Sequence, residues 1–261
     1  MKEQKWRVFD DDEHHTWRLL FQGLGPCRRD MAHPIFAVGI EKLGISAQQI
    51  PDLNSVNRRL RQLTGWQGVP VLGLEDNASF FRGLAARRFP IGNFIRDMRD
   101  VSYTPAPDVF HDLYGHLPFL ADEDSANFCA EFGARAAHWA DSPVAMILWG
   151  RLFWFGVEFP LIETAAGRRI FGGGLLSSRG ESEWSLSAAP HVLPFDLNVI
   201  IDLDYKIDEY QKKLFCLSSA QELYSCLAQY EELLKKKVHA ASVLQESAGP
   251  RAEAPFNAGR I

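Results

Sequence analysis

Tyr103-Thr-Pro-Ala-Pro-Asp-Val-Phe-His111-Asp-Leu-Tyr-Gly-His116 places two histidines five residues apart, with an acid beside the first and two prolines upstream. Histidine is scarce, eight in 261 residues, so two in one apolar-flanked segment make a candidate metal site. On an ideal helix a five-residue spacing separates side chains by about 140°. The pair diverges unless His111 sits in the first helical turn or Gly115 lets the helix deform. Pro105 and Pro107 suit a helix start, and Asp108 in the first turn would complement the helix dipole. A third ligand must come from elsewhere.

The chain around this stretch reads as mainly helical. Residues 1–16 are polar and expected to be loosely held, and a helical pattern begins at Thr16 with Trp17 and Leu19-Leu-Phe21. Residues 28–43 resume the pattern, with a kink or break at Pro34 and Gly44 as its C-cap. Leu53, Val56, Leu60 and Leu63 predict a helix closed by Gly65. Val69-Pro-Val-Leu72 is a short extended run, and Ser79 to Phe89 reads as a helix stopped by Pro90. Phe128, Phe132, Ala136 and Trp139 predict another helix. Val144 to Phe159 is apolar nearly all round and belongs in the centre of a globule. A hairpin is expected over 161–171 around Ala165-Ala-Gly167. Ser219-Ala-Gln-Glu222 has the capping-box form ahead of Leu223, Leu227, Tyr230 and Leu234.

Composition narrows the function. With 46% hydrophobic residues the chain can build a sizeable core. A net charge of −5 gives no electrostatic reason to bind nucleic acid or an anionic membrane. Neither a signal-like apolar segment nor a run of roughly 18 apolar residues is present. Cysteines 27, 129, 216 and 226 show no paired spacing, which suits reduced thiols in the cytoplasm.

Glu158 stands inside Trp154-Phe-Gly-Val-Glu-Phe159, where an unpaired carboxylate would cost several kcal/mol to bury. It lies on a solvated stripe or has a cation or metal as partner. Two histidines and one carboxylate make the facial triad that leaves positions open on non-haem iron(II). A closed zinc site would want a fourth ligand, and a zinc hydrolase would want the tighter H-E-x-x-H spacing. Gly172-Gly-Gly174 fits neither a phosphate-loop nor a dinucleotide pattern.

Three separated motifs in order, Tyr103 to His116, the segment around Glu158, and Gly174-Leu-Leu-Ser-Ser178 with Glu181, resemble the pterin-dependent aromatic amino acid hydroxylases, the bacterial phenylalanine 4-hydroxylases in particular. The likeness extends through Thr64-Gly-Trp66 and Phe80 to Pro90 and covers most of the chain. It implies a mainly α (α+β) fold: a single helical catalytic domain over 16–246 with a small β-hairpin or sheet. A polar segment would precede it over 1–15 and a tail follow over 247–261. It implies Fe(II) held by His111, His116 and Glu158, with a tetrahydropterin and O2 as cosubstrates. Arg96 would clamp the substrate carboxylate, Asp108 would orient that arginine, and Thr104 would help hold the amino acid. Ser177 and Glu181 match the polar side of the substrate site, and Trp154 and Phe159 its aromatic wall. Phe80 matches the ring that stacks on the pterin, Gly73 and Leu74 the loop along it, and Asp112 an acid reaching it through water. On spacing alone Phe80, Trp154 and Phe159 would read as core, and Ser177 and Thr104 as loop hydroxyls.

The implied reaction is conversion of L-phenylalanine to L-tyrosine by a monomer without nucleic-acid or membrane partners. The regulatory and tetramerisation segments of the animal enzymes are not expected in a chain of this length. Tryptophan as substrate, meta-hydroxylation of phenylalanine, and a non-catalytic metal- or pterin-binding protein are the alternatives. Ala106, Phe153, Gly156, Pro160 and Phe171-Gly-Gly-Gly174 depart from the family's usual residues. None of them is expected to touch a ligand, but they alter the wall of the site.

Overall fold

Helices dominate because apolar residues recur at helical spacing between well-placed caps. A computed structural model of the chain describes residues 1–100 and 106–248. Helix Glu123–His138 shows the pattern: Asp122 accepts from the Ser125 amide, acids fill the first turn, and Arg135 and His138 lie in the last. Its buried stripe carries Phe128, Phe132 and Ala136, and it crosses helix Asn77–Ala85. A side chain at Gly133 would forbid that crossing, since a Cβ there would lie 2.4 Å from the Ala85 amide nitrogen.

Helix Pro143–Phe153, capped by Ser142, buries Met146, Leu148, Trp149, Leu152 and Phe153 on all sides. It occupies the centre, as its apolar sequence predicts. Phe132 packs edge-on against both Trp149 and Phe153 there.

The strands are β1 Gln67–Val71, β2 Arg88–Gly92, β3 Leu161–Thr164, β4 Gly167–Ile170, β5 His191–Pro194 and β6 Lys213–Leu217. Among the described residues they make a parallel pair, β1–β2, and a four-stranded sheet ordered β4-β3-β6-β5. The expected hairpin is β3–β4, turning through Gly167 at φ 93°. The fold is therefore mainly helical with small sheets, and Gly44 and Gly65 close their helices in the left-handed conformation as expected.

Four expectations change. The first helix runs Asp11–Gly23, five residues ahead of Thr16, because Asp10 and Glu13 form a reciprocal capping box at 2.9 Å each way. The preceding segment is also tied down: the Met1 ammonium bonds Ser79 Oγ at 2.6 Å and the Gln4 amide bonds the Pro70 carbonyl at 2.8 Å. The helix expected over 79–89 ends at Ala85. Arg87 turns the chain at φ 55°, and Pro90 lies inside β2, where a two-stranded sheet leaves its missing amide an open edge. Pro34 starts helix Pro34–Leu43 at its first position, so there the expected break is the one found. The C-terminal pattern divides into Ala220–Tyr224 and Leu227–Ala248. Ser225 Oγ bonds back to the Gln221 carbonyl at 2.7 Å, competing with the helical ladder. Glu222 takes the Ser218 amide at 2.6 Å, so only half of the expected capping box forms.

Candidate active site

The two histidines meet because His111–His116 is a π-helical turn. Its closing bond reaches back five residues, the Leu117 amide bonding the Asp112 carbonyl. Residues five apart then stack on one face. Both expected routes operate: Asp108 starts the helical segment by accepting from the His111 amide at 2.9 Å, and the turn is also widened. Gly115 contributes by close approach, since a Cβ there would lie 2.7 Å from the Gly173 carbonyl oxygen. Glu158 ends a second π-helical turn, Trp154–Glu158, closed by the Phe159 amide on the Trp154 carbonyl at 2.9 Å.

These turns bring His111, His116 and Glu158 together, with one ligand atom of each within 4.8 Å of the others. His116 Nε2 lies 3.0 Å from His111 Nε2 and 3.1 Å from Glu158 Oε1, and His111 Nε2 lies 3.8 Å from Glu158 Oε2. Ser177 decides the tautomer of His111. Its hydroxyl donates to the Gly174 carbonyl at 3.1 Å, so its oxygen is left to accept from His111 Nδ1 at 2.8 Å. The proton on Nδ1 leaves the Nε2 lone pair facing His116 and Glu158.

Burial pushes the His111 pKa down to about 4, so the ring is neutral. Burial also opposes charge on both His116 and Glu158, but their mutual attraction outweighs it, raising the pKa of His116 and lowering that of Glu158. Glu158 Oε2 is nevertheless buried without a hydrogen-bond partner. A buried oxygen without a donor, beside two convergent imidazole nitrogens, is a donor set shaped for a cation. Metal–ligand bonds of about 2.1 Å meeting at right angles would put donor atoms about 3.0 Å apart. Iron fits these residues.

Arg96 and Asp108 pair as the sequence predicts. Nε and Nη2 each donate to the carboxylate at 2.8 Å, and the Arg96 amide adds a third bond at 2.9 Å. Burial alone would raise the pKa of Asp108, but Arg96 outweighs it and holds it down. Thr104 lies outside the described residues. Trp154 and Phe159 pack with ring centroids 4.4 Å apart, and Trp154 also stacks on Tyr205. Glu181 follows Ser178, the cap of helix Arg179–Ser185. Its Oε2 is buried without a partner, and burial pushes its pKa up to about 7.

Gly73, Leu74, Phe80 and Asp112 line one cleft with the triad. Asp112 accepts from the Gly92 amide at 2.7 Å, and burial lifts its pKa to about 8. Phe80 is held edge-on by Phe81, Phe89 and Phe153.

Some site residues escaped the sequence. Gly172-Gly-Gly174 presses its backbone on the triad: a Cβ on Gly173 would lie 2.6 Å from His116 Cε1, and one on Gly174 2.8 Å from Glu158 Oε2. The expectation that this departure touches no ligand is thus corrected. Phe153, another departure, stacks along His116 at 6.5 Å, with Phe89 on the ring as well at 4.9 Å. A glycine triplet beside a candidate motif was the available signal; the stacking left none.

The family model of the biopterin-dependent aromatic amino acid hydroxylases matches residues 7–243. The phenylalanine-4-hydroxylase of Chromobacterium violaceum is 38% identical over 221 residues, 84% of this chain and 74% of that one. That of Pseudomonas aeruginosa is 32% identical over 237 residues, 89% and 90% of the two chains. The C. violaceum phenylalanine hydroxylase structure with bound iron(III) and the oxidised cofactor 7,8-dihydrobiopterin superposes with a TM-score of 0.84 at 37% identity, covering 89% of this chain and 84% of that one.

Proposed function

This chain belongs to the biopterin-dependent aromatic amino acid hydroxylases, and from that premise we propose that it converts L-phenylalanine to L-tyrosine as an iron- and tetrahydropterin-dependent monooxygenase. The observation that carries the reading is the convergence of His111, His116 and Glu158 around an unpartnered carboxylate oxygen. The phenylalanine-4-hydroxylase name of the relatives favours this substrate and position over tryptophan or meta-hydroxylation.

The three triad residues hold the iron. Iron and the reduced pterin, when bound, supply the electrons that split dioxygen and put one atom on the ring. Ser177 keeps the His111 proton on Nδ1, so that Nε2 is always available as a ligand. Asp108 fixes the Arg96 guanidinium in one orientation, and the arginine takes the carboxylate of the amino acid, helped by Thr104 and by Ser177 and Glu181 on the polar side. Trp154 and Phe159 form the wall for the substrate ring. Phe80, Gly73 and Leu74 receive the pterin, and Asp112, tied to the Gly92 amide, reaches it through water. The burial of the triad keeps bulk water from the reacting atoms.

The catalytic body expected over 16–246 overlaps the matched span 7–243, and helix Asp11–Gly23 carries its start ahead of residue 16. Among the described residues no helix is long and apolar enough to cross a membrane. A cytoplasmic monomer goes with the four free cysteines and the net charge of −5, and light scattering on the eluting protein checks the second part. Aerobic turnover with iron(II), a tetrahydropterin and a panel of aromatic amino acids tests the function. Tyrosine from phenylalanine is the expected product; pterin-dependent oxidation of tryptophan alone would replace the substrate, and no pterin oxidation would sink the assignment.

A further inference from the structure

A second, smaller cavity of about 40 Å³ shares the His116 ring with the pterin-side cleft. His116 and Phe89 line both, so two rings form the wall between them. The half-buried Phe119, Val157 and Tyr224 lie toward its mouth, and the buried Phe153 is at its inner end. Its lining is almost wholly apolar. The Ser125 and Tyr224 hydroxyls bond each other, and burial pushes the Cys129 thiol up to about 12, so it stays neutral. A water inside would find few of the two to four polar partners it needs, whereas a small apolar molecule needs none.

Two of its walls are departures of this chain from the family's usual residues. Neither Phe153 nor Gly156 brings a polar side-chain atom to the cavity. A Cβ on Gly156 would already lie 3.0 Å from Leu223 Cδ1, so a larger side chain would crowd this wall. The amino acid and the pterin are both polar and suit the hydrogen-bonding cleft that shares the ring. Dioxygen is the apolar reactant of a monooxygenase, and an apolar chamber against a metal-ligand ring would suit it better than either polar reactant.

We propose that this cavity is a dioxygen site, taking up the gas near Phe119 and Tyr224 and holding it against His116. The inference rests on the monooxygenase reading, but xenon, an apolar probe of similar size, tests it without turnover. Crystals of the protein under xenon pressure are expected to show a xenon atom beside Phe128 and Phe153. Cys129→Met, which fills the cavity from helix Glu123–His138, is expected to remove that atom. The KM for dioxygen should rise several-fold in this variant, with the KM values for the amino acid and pterin unchanged. Cys129→Ala, which widens the cavity, should keep both the xenon and the KM for dioxygen. Absence of xenon from the unmodified protein overturns the proposal. So does an unchanged KM for dioxygen in a Cys129→Met protein that has lost it. If xenon binds but no amino acid is oxidised, the activity reading fails while the gas site stands.

Discussion

Three π-helical turns occur among the described residues, and only two of them carry the site. The third, Cys27–Met31, has the same five-residue return, with the Ala32 amide on the Cys27 carbonyl at 3.0 Å. Its polar groups are satisfied: Cys27 Sγ bonds Ser182 Oγ at 3.0 Å, and Arg28 bonds the Tyr114 hydroxyl at 3.0 Å while lying over the Phe21 ring. In the other two, imidazole nitrogens face each other and a carboxylate oxygen has no donor. A π-turn is thus a way to align residues five apart. What marks this site is a buried carboxylate oxygen without a donor beside two imidazole nitrogens that face each other.

The largest effect expected is on the triad itself. Iron at about 100 times its Kd should stabilise the unmodified protein by about 2.7 kcal/mol, read as a rise in the calorimetric midpoint. His111→Ala should show no such rise and no tyrosine formation; a retained iron-dependent rise would remove His111 from the ligand set. Ser177→Ala should weaken iron binding about 10- to 100-fold by releasing the imidazole orientation. Equal affinity by titration calorimetry would make the 2.8 Å contact packing only. Cys27→Ala, in the third turn, should leave iron affinity unchanged and lower stability by about 1–2 kcal/mol in urea unfolding. A loss of iron there would mean that the third turn is coupled to the other two.

The helices were legible wherever a stripe and a stop coincide locally, as at Leu53, Val56, Leu60 and Gly65, and the structure adds the cap at Asp52. β2 was not, because Pro90 reads as a helix stop until β1 is known to lie beside it. The ligands and the Arg96–Asp108 pair were readable from residue types in motif order. Their geometry was not: a five-residue spacing conflicts with a 3.6-residue turn, and nothing local announces the wider turn. The glycine triplet and Ser177 act on His111, His116 and Glu158 across the fold, Ser177 from 66 residues away, so their roles depend on packing that no short window contains.

Glu181 supplies the smallest effect and the sharpest test of whether an unpartnered oxygen alone marks a site. Its Oε2 shares with Glu158 the lack of a donor, yet it lies outside the triad. Burial lifts its pKa from 4.5 to about 7. Below the lower value the carboxyl is protonated in folded and unfolded chains alike and makes no difference to stability. As pH rises the unfolded chain ionises first, so stability falls through this window and the loss is complete above the folded-state value. Partial exposure screens the charge, which leaves a loss of about 1 kcal/mol. Glu181→Gln should therefore be more stable than the unmodified protein at about pH 8 and equal to it at about pH 4, in urea unfolding at each pH. If the carboxylate is kept for the amino acid, the same variant should bind phenylalanine more weakly even as it gains stability. A variant no more stable at the higher pH would mean that Glu181 already has a partner, and an unpartnered oxygen would then mark function only within the triad.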